Sequence, residues 1–193
     1  MMKRSLFFLV LLLAQASGAT ALAQVAEGPP SPPPDPHVYT DPAMTYTAPS
    51  DAVLLNRQQI PVTALSQDLQ PIAAWVLRPG KEDSRIIQIS MEAYNGAPDQ
   101  WEGQFESQTH SSQDGTLIRN KTAMTLLNGM PAYFVEVAYG SGFDAKKEYA
   151  IVWADGQRGV VLSETMRLGD GGPDEAKQVL KQATATAYPL YQP

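Results

Sequence analysis

The sequence predicts an α+β fold: an antiparallel β-sheet flanked by helices, an α/β/α sandwich. Three observations predict it. Residues 116–127, 132–139, 147–153 and 160–166 form successive strand-like runs separated by turn residues, the pattern of an antiparallel meander. Residues 98–110 and the segment after Pro173 instead place apolar side chains three and four apart, the spacing of helices that cover a sheet. With Cys 0, no disulfide can staple the chain, so stability must come from a packed core of adequate size.

Taken in order, Lys3 and Arg4 precede an apolar run from Leu6 to Ala14 and a small-residue end, Ala21-Leu22-Ala23. That order is the substrate pattern of a signal peptidase, so residues 1–23 are expected to be a cleaved secretory signal, with the mature chain starting near Gln24. The apolar run is far shorter than the roughly 20 residues that span a bilayer core, so no stable membrane span is expected after cleavage. The absence of cysteine also excludes a lipid-modified N-terminus of the lipoprotein kind. The expected location is periplasmic or secreted.

Residues 24–37 form a proline-rich leader whose densest part is Gly28-Pro29-Pro30-Ser31-Pro32-Pro33-Pro34-Asp35-Pro36. Proline fixes φ and lacks the amide donor, so an extended spacer is expected, either a solvated tether or a segment that docks in an aromatic groove. Residues 38–193 have the length of a single domain. Met44-Thr45-Tyr46-Thr47 alternates as a strand that Pro49 ends, and residues 51–70 carry no clear period.

Residues 71–77 and 85–91 flank Pro79-Gly80-Lys81-Glu82-Asp83 and form a hairpin. Pro98, Asp99 and Glu102 suit a helix N-terminus, with Trp101 and Phe105 sharing one face of residues 98–110. In the meander, Tyr133, Val135, Val137 and Tyr139 share one face of their strand, as do Tyr149, Ile151 and Trp153 of theirs. The last helix is expected from Pro173, with Ala176, Val179, Leu180, Ala183 and Ala187 as its apolar stripe and Pro189 as its stop.

This order of elements brings a resemblance. Tyr39-Thr40-Asp41-Pro42-Ala43-Met44-Thr45-Tyr46-Thr47-Ala48-Pro49 resembles the opening of PsbP-like and DcrB-like domains, and Leu126-Leu127-Asn128-Gly129-Met130-Pro131-Ala132-Tyr133 resembles their central joint. The resemblance runs over residues 38–189 and implies their α/β sandwich. It implies no catalytic residues, because that superfamily serves as a photosystem subunit, a Ran-binding protein and an envelope protein.

The charge excludes further classes. Cleavage removes two cations from 14 Lys and Arg and leaves 20 acids, so the mature net charge is −8. Such a chain lacks the cations that displace counterions from phosphates, and no nucleic-acid partner is expected. Only His37 and His110 are present, too few for a triad or a His-rich zinc site. Gly140-Ser141-Gly142 is not a nucleophile elbow, and no phosphate-cradling glycine motif occurs. No cofactor is expected.

Several residues remain as candidates. Glu136 and Glu164 stand inside strands; Glu164 shares parity with Val160, Leu162 and Met166, so burial would raise its pKa and fit it for general-acid work or for an ion pair. Asp170, Asp174 and Glu175 could offer oxygens to calcium, although helix capping explains the same acids. Tyr133, Tyr139, Tyr149 and Trp153 are core residues or the lining of a ligand cleft between sheet and helix, and Phe143 on a glycine-flanked loop is a partner contact. The leading expectation is an exported, non-catalytic, protein-binding or assembly module of the bacterial cell envelope. The alternatives are a small-ligand carrier or sensor using that cleft, and a carboxylate-dependent hydrolase.

Overall fold

The computed structural model describes residues 34–42, 44–61, 65, 68–94, 96, 98–112, 117–127, 129–140 and 145–185. The signal segment, the leader up to residue 33, Phe143 and the C-terminal residues from 186, Ala187 and Pro189 among them, lie outside these. The His110 side chain does too.

A seven-stranded antiparallel sheet forms the centre, built from β3 (Ala52–Leu54), β4 (Gln70–Leu77), β5 (Arg85–Ala93), β6 (Leu117–Thr125), β7 (Pro131–Tyr139), β8 (Lys146–Ala154) and β9 (Arg158–Arg167). Its order is β3-β4-β5-β9-β8-β7-β6, so the meander β6 to β9 joins the β4–β5 hairpin through β9. A second antiparallel sheet has the order β1-β2-β10, from β1 (Val38–Thr40), β2 (Met44–Thr47) and β10 (Ala183–Ala185). The helices are α1 (Pro98–Ser112) and α2 (Pro173–Leu180). The architecture is α+β, as the alternation of strand and helix periods predicts.

The large sheet is buried on both faces, which gives two cores. On one, β2 and α2 lay Met44, Tyr46, Ala176 and Leu180 against Trp75, Ile87, Ile89, Ile151, Trp153 and Leu162. On the other, Trp101 and Phe105 of α1, with Leu65 and Leu69, cover Val135, Val137, Ala150, Val152 and Val161. Trp101 and Phe105 are one helical turn apart and stack at 5.6 Å. Each large side chain so buried contributes about 1.5–3 kcal/mol, which is how a chain without disulfides holds its fold.

The approach of α1 to the sheet is close enough to demand a glycine. A Cβ added at Gly159 would lie 1.9 Å from Cε2 of Trp101. The indole N–H of Trp101 reaches Glu92 Oε1 at 2.6 Å, tying the helix to β5.

The final helix is shorter than its spacing predicts. It stops at Leu180, and Ala183 belongs to β10, paired with Tyr46 of β2. The second edge of β2 supplies backbone partners that a longer helix would leave unmet, and β-branched Thr184 suits a strand. Ala183 is buried in β10, and its small apolar side chain also suits the spacing of the helical stripe.

Candidate functional site

A cleft of about 360 Å³ lies where the small sheet meets the β3–β4 edge of the large one. One wall is Pro34, Asp35, Pro36, Val38 and Tyr39; the other carries Leu54, Leu55, Arg57, Ile60 and Ile72, with Ala73 and Trp75. Local features of the chain build it. Ile72 is the extra residue of a β-bulge, since the β4–β5 register shifts between Pro71 and Ala73. A bulge turns its residue out of the ladder, and Pro71 has no amide to donate there.

The apolar rim is open to solvent. Val38, Leu54 and Ile72 are 39%, 46% and 36% exposed, while Trp75 is 1% exposed. The Trp75 ring stands edge-on to Tyr46 at 5.5 Å, and its Nε1–H donates to the Pro36 carbonyl at 2.9 Å. Ala48 N–H donates to the His37 carbonyl at 2.8 Å. The end of the leader is therefore hydrogen-bonded to the domain from Pro36 onward. Arg57, the cation of this lining, starts a short 3-10 turn, Arg57–Gln59, and is exposed.

A second polar centre lies on the α1 face. Glu148 is 2% exposed and aligns with Val137 of β7 and Thr165 of β9. Burial pushes its carboxyl up to about 7, against the opposing pull of hydrogen bonds from the Ser163 and Tyr139 hydroxyls and the charge of Lys146. Burial also holds the Tyr139 hydroxyl well above its ordinary range. Gln88 and Ser90, bonded to each other at 2.9 Å, extend the row of buried polar groups on β5.

Glu136, Tyr149 and Glu164 align across β7, β8 and β9, so the two carboxylates share a face with the tyrosine position between them. They stand two strand spacings apart, roughly 10 Å. Glu164 is fully buried and bonds Arg85 Nη1 at 3.3 Å; Arg85 also meets Glu175 of α2 at 2.9 Å. Burial raises the Glu164 pKa and outweighs the lowering by Arg85. The geometry around Glu164 is that of an ion-pair clamp between sheet and α2. Asp174 and Glu175 occupy the first turn of α2, where their charge favours the helix, and among the described residues no group of three or more His, Asp or Glu side chains is placed to hold a metal ion.

The expected aromatic cleft between sheet and helix is corrected by the register. Tyr133 lies opposite Val152 and joins the α1 face with Tyr139, whereas Tyr149 and Trp153 belong to the opposite core. Phe134 stacks on Tyr149 at 5.7 Å, and Lys177 covers Phe134 at 4.7 Å from the ring centre. Tyr149 and Trp153 fill one core, and Tyr133 and Tyr139 pack against the other. Phe143 lies outside the described residues.

The features of the cleft that sequence reasoning missed are the docked Pro36, the bulged Ile72 and Arg57. Pro71 carried a signal for the bulge, because proline in a strand marks an edge or an irregularity. Glu148 also had one: the run Tyr149-Ala150-Ile151-Val152-Trp153 is apolar at both parities, so both faces of its strand are covered.

No family model matches the chain, and no curated protein matches it. Among solved structures, LpqN of Mycobacterium tuberculosis, involved in cell envelope biogenesis, is similar with a TM-score of 0.50 at 19% identity, covering 76% of this chain and 86% of that one. The Pseudomonas aeruginosa protein PA94, of unknown function, gives a TM-score of 0.46 at 12% identity, covering 63% of this chain and 86% of that one. The likeness to LpqN is one of fold. Among the described residues no helix is long and apolar enough to cross a membrane.

Proposed function

We propose that the domain is an exported, non-catalytic binding module of the cell envelope that grips a partner protein through the cleft beside Trp75. The observation that carries this reading is the gathering of exposed Val38, Leu54 and Ile72 around one apolar cleft, which leaves apolar area in water unless a partner covers it. The secretory character of residues 1–23 and the fold shared with LpqN, a protein of cell envelope biogenesis, support the compartment. The PsbP-like and DcrB-like resemblance belongs to the same proposal as a likeness of fold, which by itself fixes no function.

The test is affinity capture from the native envelope with the mature chain and its Ile72→Glu variant, read by mass spectrometry. Ile72 is already part-exposed, so the variant should keep its melting temperature. A protein retained by the natural chain and lost with Ile72→Glu is the expected result. Identical captured proteins from both chains would overturn the reading.

A further inference from the structure

The cleft already carries a segment of chain along one wall. Pro34, Asp35 and Pro36 line it, all three exposed on their outer side, and the Trp75 indole N–H is spent on the Pro36 carbonyl. An indole donor beside aromatic and aliphatic surfaces is what extended proline-rich segments bind. Such a segment has few amide donors but keeps its carbonyls exposed, and its stiff φ means little order is lost on docking. Tyr39 adds a second aromatic ring to the lining.

Among the described residues, few hydrogen bonds hold the docked segment. Asp35 stabilises its own turn, its Oδ1 accepting from His37 N–H at 2.9 Å and its carbonyl from Val38 N–H at 3.1 Å. The remaining ties are Trp75 to Pro36 and Ala48 to His37. We propose that residues 34–37 are an internal ligand of a groove that reads proline-rich extended segments, and that a partner segment of this class replaces them against Trp75. The inference rests on the cleft being the contact site. It makes the apparent affinity for the partner depend on how often the internal segment is released.

The experiment uses the whole mature chain and a synthetic peptide copying residues 32–38, with the Trp75 indole N–H resonance as reporter, assigned through Trp75→Phe. Asp35→Ala removes one local hydrogen bond of ordinary strength and should raise the released fraction, and hence the peptide affinity, about fivefold. A control peptide with alanine for each proline should bind neither chain. Equal affinity for the natural and Asp35→Ala chains, no shift at Trp75, or equal binding of the control peptide would each overturn the proposal. Peptide exchange without capture that depends on Ile72 would count against the envelope partner alone; capture that depends on Ile72 without peptide exchange would count against the internal ligand alone.

Discussion

Replacing Glu148 by glutamine should make the protein more stable, and only above the acid range. Glu148 is buried between Val137 and Thr165 across the sheet, with the Ser163 and Tyr139 hydroxyls as its partners. Burial raises its carboxyl from 4.5 to about 7. In that window the folded chain keeps a proton that the unfolded chain has released, so the native state loses stability as pH rises through it. Below pH about 4.5 both states are protonated and the penalty vanishes; above about 7 it is fully present. At about 1.4 kcal/mol for each tenfold change in acidity, the full penalty is about 3 kcal/mol.

Glutamine matches the volume and can accept the same hydroxyl bonds without a charge. The Glu148→Gln chain should therefore equal the natural one in stability near pH 4.5 and exceed it by about 3 kcal/mol near pH 8. Urea unfolding followed by tryptophan fluorescence at several pH values measures the difference, and groups common to both chains cancel. A difference that stays flat between pH 4.5 and 8 would refute the placement of a charged Glu148 in the interior.

Other substitutions test the framework around the site. Arg85→Met leaves Glu164 buried without its cation and should cost about 3–5 kcal/mol, while Arg85→Met with Glu164→Leu should recover most of that loss in the same unfolding assay. Gly159→Ala drives a methyl group into the Trp101 ring and should cost about 1–3 kcal/mol or more, with a matching change in near-ultraviolet circular dichroism. Trp75→Phe loses the hydrogen bond to Pro36 and should cost about 1 kcal/mol, with faster hydrogen exchange at His37 and Val38.

The strands of the large sheet were readable because burial demands apolar runs bounded by turn residues, and the β4–β5 hairpin because Pro79-Gly80 stands between two β-branched and aromatic runs. The helix over Trp101 and Phe105 was readable for the same reason: one face must be apolar. The end of α2 was not, because Ala183 suits the helical stripe and β10 alike, and only the position of β2, far away in sequence, decides between them. The aromatic cleft failed on register. Parity within β7 and within β8 is local, but which parity faces which layer is set by pairing Tyr133 with Val152. The actual cleft depends on Pro36 meeting Trp75 across 39 residues of chain, a contact that no local pattern encodes.

The claim that the cleft is where a partner binds is tested most directly by photo-crosslinking in the native envelope from a benzoylphenylalanine placed at Leu54. Leu168, 54% exposed and not part of the cleft lining, is the control position. The account predicts one recurrent protein adduct from Leu54 that disappears when Ile72→Glu is added, and none of it from Leu168. The same adducts from both positions, or an adduct from Leu54 that survives Ile72→Glu, would contradict it.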